Sequence, residues 1–149
     1  MQLTLYTDYS LRVLIYLALK EDRATIPEIA EQYAISRNHL IKVVHHLGKA
    51  GFIVTQRGRN GGIRLKHSPD KVRLGTVVRV MEPNFTLVEC FDAQHDTCVV
   101  SPVCRLKGIL GDALQNFMKE LDQYSLADVI GDPNIYRACI PALTIQERE

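Results

Sequence analysis

Three cysteines, Cys90, Cys98 and Cys104, fall within fifteen residues at C-x7-C-x5-C spacing and are the groups in the sequence best suited to chemistry. Thiolates are soft ligands for zinc and for iron–sulfur groups, and they are also nucleophiles. Structural zinc sites generally use C-x2-4-C pairs, so the wider spacing here suits a zinc finger poorly. It fits a loop wrapped around something larger than one ion and can supply three corners of an iron–sulfur cluster. Three buried free cysteines are the alternative, and they sit less well with a loop that also carries Glu89, Asp92, His95 and Asp96. A small redox enzyme using Cys98 or Cys104 is a further reading. With no CxxC pair and no substrate-pocket motif, the chain reads as a non-enzyme.

The rest of the chain must position that loop. Its 149 residues are about one domain's worth, and 46% apolar with 23% charged residues is the composition of a globular protein. The net charge of +1 hides a division: residues 1–79 carry 13 Lys/Arg against 6 Asp/Glu, and residues 80–149 carry 5 against 11. A balance of +7 beside one of −6 suggests that the first half alone meets an anionic polymer. All four cysteines lie in the acidic half. The start, Met1 to Thr4, has no basic leader, and the apolar stretch Leu11 to Leu19 is broken by Arg12 and too short to span a bilayer. A cytoplasmic location without membrane contact is expected, where thiols stay reduced.

In the basic half, Leu11, Leu14, Ile15 and Ala18 mark the apolar face of a first helix from about Thr7 to before Glu21. Thr25 and Glu28 form a capping box that opens a second helix, about Ile26 to Tyr33. Ser36 is the expected N-cap of a third, with Leu40, Val43, Val44 and Leu47 turned inward and Gly51 ending it. The helix pair is a helix-turn-helix whose second member presents Ser36, Arg37, Asn38, His39 and Lys42 to base edges and phosphates. Phe52 to Thr55 and Ile63 to Leu65 then read as a hairpin with Arg57, Arg59 and Asn60 at its glycine-rich tip and Arg64 on its return strand. Such a wing approaches the duplex closely and its guanidinium groups suit phosphates or the minor groove. The expected fold is mainly α with a small β-hairpin wing, a winged helix-turn-helix binding double-stranded DNA.

In the acidic half, Thr76 to Met81 reads as a short helix broken by Glu82-Pro83-Asn84, followed by the irregular cysteine-bearing stretch. Leu106, Ile109, Leu110, Ala113, Leu114, Phe117 and Leu121 then keep one apolar stripe. Few residues of the same chain are left to cover it, so the same helix of a second subunit is expected there, and a dimer also suits a symmetric DNA site. Ser125 caps another short helix, and the tail beyond Pro133 gives no signal. The expected division is 1–80 for DNA binding, 81–104 for the cysteine loop, and 105–149 for dimerisation and tail.

The segments Leu3 to Arg12, Ser36 to Lys42, Arg57 to Gly62 and the Cys90, Cys98, Cys104 loop followed by Arg105-Leu106 resemble the family of bacterial winged-helix iron–sulfur regulators that includes IscR. The resemblance runs from Met1 to about Ile130 and is nearest the nitric-oxide-responsive repressors of that family. It implies a dimeric repressor acting on an A/T-rich inverted repeat, with a [4Fe-4S] cluster whose reaction with nitric oxide releases DNA. A regulator responding to iron supply or redox state through a [2Fe-2S] cluster is the alternative. In that branch a ligating histidine stands three residues after the third cysteine, where this chain has Lys107. The resemblance also implies that Asp8 of the partner subunit completes the ligand set of Cys90, Cys98 and Cys104. His95 and Cys139 are the rival fourth ligands, though a surface imidazole and a small buried side chain or free thiol are their ordinary readings.

Overall fold

The computed structural model describes residues 2–58 and 61–140. Arg59 and Asn60, two of the expected DNA-contacting residues, therefore lie outside the described residues.

Helix α1 (Leu5–Lys20) begins at Thr4, whose hydroxyl accepts the Thr7 N–H at 3.3 Å. Helix α2 (Ile26–Tyr33) carries the full capping box: the Thr25 hydroxyl accepts the Glu28 N–H and the Glu28 carboxylate accepts the Thr25 N–H, both at 3.3 Å. It stops at Ala34, a left-handed residue (φ 52°, ψ 40°), where the Ala34 and Ile35 N–H groups close back on Glu31 and Ala30. Such a residue reverses the chain within one turn and releases α3 (Arg37–Lys49) at an angle to α2. Ser36 occupies the N-cap position of α3 as expected, although its side chain makes no capping hydrogen bond. Gly51 (φ +83°) ends the helix in the left-handed conformation, with Phe52 N–H bonding Leu47 O at 3.0 Å.

Strands β1 (Ile53–Gln56) and β2 (Gly62–Leu65) pair antiparallel, Ile53 opposite Leu65 and Gln56 opposite Gly62. Ala24 adds a one-residue bridge to Ile63, with hydrogen bonds of 2.9 and 2.8 Å in the two directions. The backbone approaches so closely that a Cβ on Gly62 would lie 2.9 Å from Ala24 O, which keeps that position free of a side chain. The wing is thus anchored at its base to the chain just before α2.

Helix α4 (Leu74–Met81) starts two residues before the expected Thr76. After two short 3₁₀ turns comes the long α5 (Arg105–Gln123), then α6 (Leu126–Ile130), capped by Ser125 and Asp128, and α7 (Pro133–Cys139) in the tail that carries no sequence signal. The core is organised about α1, whose Val13, Leu14 and Leu17 meet Leu40, Val43 and Leu47 of α3, Val77 of α4 and Leu126 of α6, all at most 2% exposed. Helix α5 lies outside this core: it crosses α4, where the Arg79 guanidinium grips Asp122 through two 2.6 Å bonds, and only Met118 among its residues is buried. Leu106 and Ile109 of the expected dimerisation stripe are 59% and 62% exposed. Among the described residues, no helix is long and apolar enough to cross a membrane.

Candidate nucleic-acid interface and thiol loop

Burying Leu40, Val43, Val44 and Leu47 turns the opposite face of α3 to solvent. Ser36, Arg37, Asn38, His39 and Lys42 are all exposed there, in the first turn and a half of the helix, together with His45. Arg57 is exposed where the wing leaves β1, and Arg64 is exposed on β2. The seven expected DNA-contacting residues that are described therefore sit on the outside of one helix-turn-helix and its wing. Two tyrosines of α1 pack against the flank of α3. The Tyr6 ring lies 5.9 Å from His46 and its hydroxyl donates to Lys42 O at 3.0 Å, while Tyr9 lies 6.3 Å from His39.

The three loop cysteines are free thiols, Cys98 exposed and Cys90 and Cys104 half-buried. Side chains beside them lace the loop together. Glu89, next to Cys90, accepts both the N–H (2.8 Å) and the hydroxyl (2.5 Å) of Thr97, next to Cys98. The intervening residues close on themselves through Asp92, which accepts from the Gln94 N–H at 3.0 Å and pairs with His95 Nδ1 at 2.6 Å. The seven-residue gap between Cys90 and Cys98 is thereby folded into a side loop with its two ends held together. Asp96 accepts the Cys98 N–H at 3.1 Å and the Ser101 hydroxyl, and Lys107 reaches from α5 to Ser101 Oγ (3.0 Å) and to Asp96 (3.5 Å). Ser101, 8% exposed, also bonds Cys98 O through its N–H and offers its carbonyl to the Cys104 N–H. These hydrogen bonds hold the Glu89, Asp92 and Asp96 carboxyls below the usual carboxylate range: Thr97 acts on the first, His95 on the second and Ser101 on the third. The loop's acidic residues are committed to shaping it.

Asp8 stands apart, on the first turn of α1 between Tyr6 and Tyr9. Arg12 takes its carboxylate in two bonds, Nη2 to Oδ2 at 2.7 Å and Nε to Oδ1 at 3.2 Å, and the Arg12 guanidinium lies 6.0 Å from the rings of both Tyr9 and Tyr33. No group of three or more His, Cys, Asp or Glu side chains converges on one point among the described residues. His95 is turned toward Asp92, and Cys139 is an exposed thiol at the end of α7 rather than a buried side chain.

Residues 3–132 match the family described as "Rrf2: Iron-dependent Transcriptional regulator". The chain belongs to the Rrf2 family. An HTH-type transcriptional regulator NsrR of Shouchella clausii is 47% identical over 99% of this chain and 100% of its own length, and the NsrR of Bacillus subtilis is 52% identical over 87% and 90%. Among solved structures, T. potens IscR superposes with a TM-score of 0.69 over 89% of this chain and 88% of its own, at 24% identity. CymR, the global cysteine regulator of B. subtilis, superposes at 0.66 over 87% and 95%, at 27% identity. The winged helix and the non-enzymatic character expected from the sequence hold: this Rrf2 chain is a DNA-binding transcriptional regulator.

The iron in the family's description suits the donors that the Rrf2 chain offers. Three unpaired thiols stand on one shaped loop, and thiolates are the ligands iron–sulfur groups take. One residue that ties the loop to α1 escaped the sequence reading. Glu82, where α4 meets the thiol loop, accepts the Thr4 N–H and hydroxyl at 3.1 Å and the Thr7 hydroxyl at 2.5 Å. Its negative charge sits on the N-terminus of α1, the helix end that favours one. The loop's point of departure is thereby fastened to the turn that carries Asp8.

Proposed function

We propose that the chain is a cytoplasmic, homodimeric repressor that binds an A/T-rich inverted repeat and senses nitric oxide through an iron–sulfur cluster of the [4Fe-4S] type. Cys90, Cys98 and Cys104 of one subunit and Asp8 of the partner subunit would hold it. The observation that carries this reading is the position of Asp8: its carboxylate pairs with Arg12, whose guanidinium lies 6.0 Å from the Tyr9 ring, and Tyr9 in turn lies against His39 of the recognition helix. Whatever draws Asp8 away from Arg12 reaches α3 through Tyr9.

When bound, the cluster supplies iron that reacts with nitric oxide. To serve it, the Asp8 carboxylate must leave Arg12, whose half-exposed pairing is a weak competitor. Engagement of Asp8 across the subunit boundary would tie the two α1 helices, and the α3 helices packed on them, to one separation. Paired half-sites sit about one helical turn apart or a multiple of it, so that separation decides affinity. Asp8, an oxygen donor among thiolates, would be the most weakly held of the four, and Arg12 stands ready to pair with its carboxylate whenever it is free. The similarity to proteins named NsrR over nearly the whole chain supports the same reading.

Anaerobic purification tests it. A brown protein with about one cluster per subunit, losing its visible absorbance and its DNA binding together on nitric oxide addition, is expected. A colourless protein holding stoichiometric zinc overturns the reading, and a [2Fe-2S] spectrum with release set by iron supply replaces it with the alternative. Asp8→Ala is expected to keep the thiolate-bound cluster but change its reaction with nitric oxide. Unaltered spectra and kinetics would remove Asp8 from the ligand set.

A further inference from the structure

Helix α3 carries Arg37, Ile41, His45 and Lys49 at successive spacings of four, which makes one ridge along its outer face. Arg37 and Lys49 are cationic, and His45 presents an imidazole between them. The fourth, Ile41, is a β-branched apolar side chain left 52% exposed, although α3 already buries Leu40, Val43, Val44 and Leu47. Ile41 shares a shallow depression with Tyr6, Lys42, His45, His46 and Lys49, so two lysines and two imidazoles surround it. A second protein copy is a poor occupant, because two such basic ridges repel. A polyanion is the natural one.

We infer that Ile41 reads a thymine of the bound DNA through the 5-methyl group of that base. Isoleucine has no donor or acceptor, and the floor of the major groove offers hydrogen-bonding groups at every base pair but one apolar group, the thymine methyl. Ile41 stands one turn in from the N-terminal residues of α3, the part of a recognition helix that reaches base edges. The flanking Lys42 and His45 can hold phosphates on either side of that contact, and shedding water from two apolar groups at once makes the pairing favourable. The inference rests on α3 lying in the major groove.

The probe is a duplex selected by the anaerobically purified full-length protein from a random-sequence pool, then resynthesised with each thymine changed singly to uracil, which removes only the methyl. One thymine per half-site is expected to be sensitive, its uracil form binding about fourfold more weakly, the worth of one buried methyl-sized group. Ile41→Ala is expected to lose a similar factor on the thymine duplex and to bind thymine and uracil duplexes alike. The inference is overturned if no thymine is sensitive, if Ile41→Ala keeps the full sensitivity, or if Ile41→Ala leaves affinity unchanged. Lys42→Ala separates the cause. If it too leaves affinity unchanged, the placement of α3 in the groove fails along with the inference; if it weakens all duplexes equally, the fault lies with Ile41 alone.

Discussion

The Tyr6 hydroxyl donates to the main-chain carbonyl oxygen of Lys42 across 3.0 Å, joining the first turn of α1 to the middle of the recognition helix. That carbonyl already serves the helix's own ladder, so the tyrosine adds a second donor to it. Tyr6→Phe keeps the ring against His46 and removes only this bond. Its expected cost is about 1 kcal/mol in urea unfolding, together with a several-fold loss of DNA affinity. An unchanged affinity at equal stability would show that the bond braces α3 without orienting it.

Asp96 is the centre of the lacing between Cys98 and Cys104. Asp96→Ala strips the Cys98 N–H, the Ser101 hydroxyl and Lys107 of their shared acceptor. Amide exchange across 97–104 is expected to quicken by tenfold or more, while exchange in α3 stays as it was. Lys107→Met, which leaves Asp96 bonded to Ser101, is expected to show a smaller effect on the same amides.

Glu28 lies beneath the helix-turn-helix. Burial pushes its carboxyl up, but hydrogen bonds from Lys20, Tyr16 and the Thr25 N–H outweigh this, and its pKa lies below the ordinary 4.5. A folded-state value below the unfolded one contributes stability that is fully present above the ordinary value and is lost as the pH falls through the lowered one. Glu28→Gln is therefore expected to cost roughly 1.5–3 kcal/mol at neutral pH, since it leaves Lys20 at 10% exposure without a countercharge. In acid denaturation curves that gap should close below pH 4.5.

Ala34 holds a left-handed backbone that an L side chain adopts at a cost. Ala34→Gly relieves it, offset in part by the freer unfolded chain. The expected gain is about 0.5–1 kcal/mol, seen as a higher melting temperature with DNA affinity retained. A lower melting temperature would mean that the freedom gained by the unfolded chain outweighs the strain.

The parts of the molecule legible in the sequence are those in which cause and effect lie within one helix turn. Thr25 and Glu28 are three residues apart, and both the bounds and the capping box of α2 follow from them. The stripe from Leu106 to Leu121 marks α5, and the Lys42 face follows once Leu40 and Val43 are turned inward. Contacts made across the chain leave no such trace. The Ala24 bridge to Ile63 is a single residue pair with no period to detect, and the Glu82 clamp joins residues 78 positions apart. Ser36 shows the opposite failure: a good capping residue stands at the cap position, yet its hydroxyl makes no capping bond. In the thiol loop the spacing of the cysteines was plain. The lacing by Glu89, Asp96 and Ser101 was not, since acidic and hydroxyl residues in an irregular loop read equally well as solvated surface.

Because neighbouring side chains tie the segments of the thiol loop to one another, much of the entropy cost of ordering it is met when the chain folds. Emptying the loop would then leave a receptacle instead of a frayed segment. A cluster of the kind proposed would then be lost and rebuilt on the same folded chain, which makes such a device reusable rather than consumed by its signal.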